Sequence, residues 1–123
     1  MVRVLVVDGA NVVGARPDGW WKDRAGAARR LHEGLLVADL PADAVVLVLE
    51  GAAKGGVRAG RDGDVTTAHA KRSGDDEIVA QVRAASERGD AVTVVTADQM
   101  LRARASAAGA TMSLGPSWLL DLL

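Results

Sequence analysis

The chain has no cysteine, no phenylalanine and no tyrosine in its 123 residues. Without cysteine there can be no disulfide, no thiol nucleophile and no Cys-based zinc centre. Two histidines, His32 and His69, are too few and too far apart for a His-rich metal site. No run approaches the roughly 20 apolar residues of a membrane span. The Met-Val-Arg-Val start goes straight into an apolar segment, without the charged, apolar, then small order of a secretory leader. The expectation is a cytoplasmic protein with no membrane partner. The net charge of −1 excludes a global positive field, so any nucleic-acid binding must rest on a local patch.

The hydrophobic share is nonetheless 49%, supplied with only 2% aromatics. The core must be Val, Leu, Ala and Ile, which suits a buried parallel sheet under Ala-rich helices. The length predicts one domain, residues 1–123. Apolar runs at 2–7 (VRVLVV), 44–49 (AVVLVL) and 91–96 (AVTVVT) read as buried strands. Weaker strands are expected at 65–70 and 110–115. Helical spacing runs from Pro17 to Leu40, from Ser73 to Gly89 and over 98–108, and Pro116 opens a last helical turn. Residues 51–64 hold five glycines and little apolar mass, and read as a mobile loop. Strands alternating with helices predict a three-layer α/β/α sandwich with a mostly parallel central sheet.

In such sheets, function sits outside the carboxyl ends of the strands. Asp8 ends the first strand, Asp98 follows the strand at 91–96, and Asp75 opens a helix that follows a strand. Steps of three, four and seven from Asp75 reach Ile78, Val79 and Val82, so Asp75 projects on the side packed against the sheet. Asp76 turns toward water and lies three after Ser73, a capping-box spacing. Taken singly, Asp98 and Asp75 also read as a helix cap and a dipole partner. Converging, they need a cation or a proton, since two carboxylates about 4 Å apart repel by roughly 4 kcal/mol at an effective dielectric near 20. Oxygen donors without Cys or His point to Mg²⁺ or Mn²⁺, and such a site suits phosphodiester hydrolysis. A phosphate loop is excluded by the missing Gly-Lys-Ser/Thr ending. A haloacid-dehalogenase-like phosphohydrolase would need a second Asp where Ala10 stands.

"VVDGANVVG", "SGDDEIVAQV" and "VTVVTADQMLRARASAAGATM" together resemble the NYN domains of the PIN-like nuclease superfamily, most closely their YacP-like branch. The resemblance spans nearly the whole chain in motif order. It implies a Rossmannoid PIN-like fold and a metal-dependent endoribonuclease that leaves a 5′-phosphate. It makes Asp8, Asp75 and Asp98 the metal-binding and catalytic acids, and gives Asn11 the task of positioning a water or a phosphate. Thr96 becomes the small hydroxyl residue of a strand-end T-x-D. Ser73 and Gly74 stand where Thr-Ala is common, a mild departure, and Glu50 stands where relatives often carry an Asp; Ser73, Asp76, Thr96 and Glu50 are candidate supporting residues around the acids.

Trp20 and Trp21 suit stacking on unpaired bases, but covering the sheet or a partner is the more common role of such tryptophans. Lys54, Arg58, Arg61, Lys71 and Arg72 suit gripping an RNA backbone, or equally a solvated loop. Arg102 and Arg104 read as a solvated helix face, and His69 as a strand residue. The RNA partner is left undefined, and a homodimer, the ribosome and another protein partner all stay open. The alternative to a nuclease is a PIN-like module, catalytically weak or inactive, that binds RNA or protein.

Overall fold

The valine-rich runs become the inner strands of one sheet. A computed structural model describes all 123 residues. Its strands are β1 (Arg3–Asp8), β2 (Ala44–Leu49), β3 (Gly60–Asp62), β4 (Val65–His69), β5 (Ala91–Val95) and β6 (Met112–Leu114), in the order β3-β4-β2-β1-β5-β6. Every pairing is parallel except β3 against β4. The helices are α1 (Gly9–Gly14), α2 (Arg24–Val37), α3 (Gly74–Glu87), α4 (Gln99–Ala108) and α5 (Pro116–Leu120).

Period-2 alternation divides each central strand between two cores. Leu5, Val7, Val45, Leu47, Leu49 and Val95 face α1, α2 and α5. Val4, Val6, Val46, Val48, Val92 and Val94 face α3 and α4, where Ile78, Val82, Leu101 and Ala105 meet them. Buried on both faces, these strands need no alternation of polar and apolar residues, hence their unbroken hydrophobicity. The expected α/β/α sandwich is therefore observed. No helix is long and apolar enough to cross a membrane.

Two local expectations are corrected, and one helix appears that no pattern announced. Six residues after Asp8, GANVVG, form helix α1, nucleated by the Asp8 carboxylate, which accepts the Asn11 N–H at 3.3 Å. The helix expected from Pro17 instead begins at Arg24, because Asp23 caps it by accepting the Gly26 N–H at 2.8 Å. Gly19 sits just upstream at φ +75 and leads into a separate 3₁₀ turn, Trp20–Lys22. The presumed loop at 51–64 is a 3₁₀ helix over Gly51–Gly56 followed by strand β3. Gly56 packs directly on the Ala25 backbone, which orders a segment whose composition alone would leave it free.

Gly9 is tightly packed at the carboxyl edge. A Cβ there would lie 2.5 Å from the Val48 carbonyl oxygen and 2.8 Å from Leu49 Cδ2. Gly9→Ala should therefore destabilise the fold by about 1–3 kcal/mol, the usual cost of overpacking. Gly14→Ala, whose nearest neighbour would be the Trp20 ring at 3.8 Å, should be neutral or gain up to about 1 kcal/mol of helix propensity. Urea midpoints of the two variants check this contrast.

Candidate functional site

β1 lies between β2 and β5, the point where the chain's winding reverses direction across the sheet. Ligand crevices form at the carboxyl ends of the strands flanking such a point. The strand phase then decides which side chains meet there. Val4 and Val6 face α3, so Asp8 does as well; Val48 places Glu50 on that side, and Val92 and Val94 do the same for Thr96.

Asp8 is buried, and both its oxygens are engaged. Oδ1 accepts the Asn11 N–H at 3.3 Å, and Oδ2 accepts the Thr96 hydroxyl at 2.9 Å. Thr96 Oγ1 in turn accepts the Asp98 N–H at 3.2 Å, so one hydroxyl links the acids of two strands. Asp98 caps α4: its Oδ1 accepts the Met100 and Leu101 N–H groups at 3.0 and 3.1 Å. The cap reading of Asp98 is therefore observed. Asn11 Oδ1 accepts the Ala97 N–H at 2.8 Å, tying α1 to the segment that carries Asp98. Its carbonyl oxygen is therefore occupied by backbone.

Glu50 Oε2 accepts the Gly74 N–H at 2.8 Å, joining the end of β2 to the start of α3. A Cβ on Gly74 would come within 3.0 Å of the Glu50 carboxyl, so the glycine at this position makes room for that contact. Ser73 caps α3 through Asp76 N–H, as expected, at 3.2 Å. The Asp76 carboxylate, however, does not close a capping box. It pairs with Arg104 at 2.8 Å, bridging α3 to α4. Arg102 donates to the Thr96 carbonyl at 2.8 Å. Neither arginine belongs to a merely solvated face; both brace the ends of the elements that carry the acids. Only the packing of α4 on α3 makes this visible.

Burial and neighbouring acids act on two of these carboxylates, Asp8 and Asp75. Burial pushes the Asp8 carboxyl above its ordinary value of 3.8, against the pull of its hydrogen bonds to Thr96 and Asn11, and Asp75 and Glu50 push it further. Asp75 is also raised, first by burial and then by Asp98 and Glu50, with Arg104 opposing. Asp76 is lowered by its bond to Arg104. Asp75 thus feels Asp98 and Glu50, whereas Asp76 feels Arg104. The acids do not form a ready-made chelate: no three acidic, histidine or cysteine side chains are gathered closely enough to hold a metal directly.

The basic residues divide. Arg72 and Lys71 are exposed just ahead of α3, at the acid edge, and Arg58 is exposed next to Val57, whose carbonyl pairs with His69 at the end of β4. Lys54 is drawn onto the Ala70 carbonyl at 3.0 Å. Arg61 reaches the Gly63 carbonyl in the β3–β4 turn, at the opposite edge of the sheet, and so is not part of this site. The short antiparallel strand β3 carries it away, which the loop reading did not anticipate. Trp20 is half-buried against the α1–α2 core, with Arg24 over its ring at 5.2 Å, and Trp21 meets it edge-on while remaining 57% exposed.

No protein-family model and no curated protein matches the chain in sequence. In structure it aligns with Rae1 (YacP) from Bacillus subtilis, determined as a W164L mutant, with a TM-score of 0.70. The chain has the YacP fold. The alignment covers 97% of this chain and 73% of Rae1 at 18% identity, so the likeness is one of architecture. It agrees with the YacP-like resemblance of the motifs at the level of fold.

Because Asp8 is raised in the folded state, its ionisation disfavours folding. That penalty is absent below 3.8 and develops as pH rises through the folded value. Asp8→Asn removes it while keeping an oxygen for the Asn11 N–H. The stability of Asp8→Asn relative to the parent should therefore increase between pH 3 and pH 7, measured as urea midpoints across about that range.

Proposed function

We propose that the chain is a metal-dependent endoribonuclease that hydrolyses RNA phosphodiester bonds. The observation that carries this reading is the convergence of Asp8, Glu50, Asp75 and Asp98, from four separate elements, on one sheet edge where Asp8 and Asp75 are both raised by burial and by neighbouring acids. None of these four carboxylates is ion-paired with a lysine, arginine or histidine. The donors are all oxygen, which fits Mg²⁺ or Mn²⁺. Mg²⁺ is commonly held by one or two carboxylates with water completing its shell, so the fit does not require three acids in direct contact.

Asp8, Asp75 and Asp98 would hold the ion, which when bound supplies charge stabilisation at the scissile phosphate and lowers the pKa of an attacking water. The chain's own residues arrange this edge. Thr96 keeps Asp8 ionisable by donating to it, and orients Asp98 by accepting its N–H. Asn11 locks the Ala97 peptide, and with it the start of α4. Glu50 holds the first turn of α3, and so the approach of Asp75. Arg72 and Lys71, exposed ahead of that helix, offer cations to the RNA backbone. RNA is the proposed partner, alone or presented by the ribosome or another protein.

A second reading, a non-catalytic RNA- or protein-binding module, is favoured by one specific feature: Asp8, Glu50 and Asp98 each already hold a hydrogen bond within the chain. The test is cleavage of mixed RNA with Mn²⁺, against EDTA. Asp8→Asn and Asp75→Asn should each lower the rate by at least about 100-fold, beyond the 10–100-fold typical of disturbing a ligand's outer partner. Asn11→Ala should fall within that lesser range. RNA retention without cleavage in any metal, unaffected by Asp8→Asn, would establish the binding module instead.

A further inference from the structure

Beside the acid edge, on the α1 side of the sheet, lies a cleft of about 350 Å³. Its floor is made of small groups, Gly9, Ala10, Gly51 and Ala53, and its polar rim of Arg24, Arg72 and Glu50, with the Trp20 ring as one wall. Arg24 lies over that ring, 5.2 Å from its centroid, so the guanidinium covers one indole face and this wall is a stacked pair. Glu50 belongs both to this rim and to the edge that carries Asp8, and Gly9 and Ala10 directly follow Asp8 in the chain. Glu50 is thus the residue shared by the cleft and the proposed reaction edge.

We propose that this cleft is a subsite for one unpaired nucleotide. Its base packs against the Trp20–Arg24 wall and its phosphate is gripped by Arg72. The chemistry is specific to that ligand class. Bases pack on indole rings and on guanidinium planes. Guanidinium groups match phosphate oxygens through paired N–H donors. A floor of glycine and alanine admits a flat ring close to the backbone. The volume lies at the small end of the range of about 300–1,000 Å³ for ligand clefts, suiting a single nucleotide rather than a duplex. The biological role of the subsite rests on the nuclease reading, but its occupancy does not.

The three tryptophans are the chain's only strong fluorophores, since tyrosine is absent. Titrating 5′-AMP in EDTA should quench their emission saturably, while inorganic phosphate and ribose 5-phosphate should not. Arg24→Ala and Arg72→Ala, both at exposed positions, should weaken 5′-AMP binding and raise KM for RNA with little change in kcat. Trp20→Leu should weaken binding on the order of tenfold or more. If that variant loses its native circular dichroism, the two arginine variants decide. Absence of saturable quenching, or binding unchanged in both arginine variants, overturns the subsite. Saturable 5′-AMP binding by a chain that cleaves no RNA with Mn²⁺ upholds the subsite and removes the nuclease reading. Cleavage with KM unmoved in Arg24→Ala and Arg72→Ala overturns the subsite and leaves that reading standing.

Discussion

The buried carboxylate of Asp8 is the joint on which the carboxyl edge of this sheet depends. One oxygen starts α1 by accepting the Asn11 N–H, and the other accepts the hydroxyl of Thr96 at the end of β5. A charged group out of water is tolerated only when its oxygens are bonded. Asp8 meets that condition by drawing two separate segments together. Asn11 then reaches from α1 to Ala97, and Thr96 to Asp98, so a small set of polar bonds closes the gap between β1 and β5.

Around that joint the structure accepts a local conflict. Hydrophobic burial dominates elsewhere: Val6, Val7, Leu47 and Val94 are completely enclosed. At the carboxyl edge, burial and then neighbouring acids raise the cost of ionising Asp8 and Asp75 instead. Arg104 and Arg102 brace the surrounding elements without entering between Asp8 and Asp75, since Arg104 binds Asp76 and Arg102 binds a carbonyl. Folds commonly retain such unrelieved charge at sites of function, because it is the charge itself that a ligand later meets.

The architecture could be read from pattern because buried parallel strands write a continuous apolar run, and three of them stand plainly in this chain. Asp75 could be told from Asp76 because helical phase is a local property, and Ile78 and Val82 declare the buried side. Helix α1 was hidden for the opposite reason. GANVVG is too short to hold a helix by propensity, and its valines favour strands; the Asp8 cap and packing on β2 supply what the sequence lacks. The glycine-rich segment after β2 looked free because its order comes from contact with Ala25, far away in the chain. Arg61 looked like a neighbour of Arg58 and Lys71, but a strand reversal moved it to the other edge.

Hydrophobic periodicity thus determined by itself that this protein is a parallel α/β sandwich, and it brought Asp8, Asp75 and Asp98 to the same edge of the sheet. Each of those inferences uses only neighbours within a helix turn or a strand. Which strands lie side by side, that Thr96 bonds Asp8, that Arg104 claims Asp76, and that Trp20, Arg24 and Arg72 enclose one cleft were decided only by the tertiary structure. Those contacts join residues distant in the chain, and their energy exists only once the sheet order β3-β4-β2-β1-β5-β6 has brought them together.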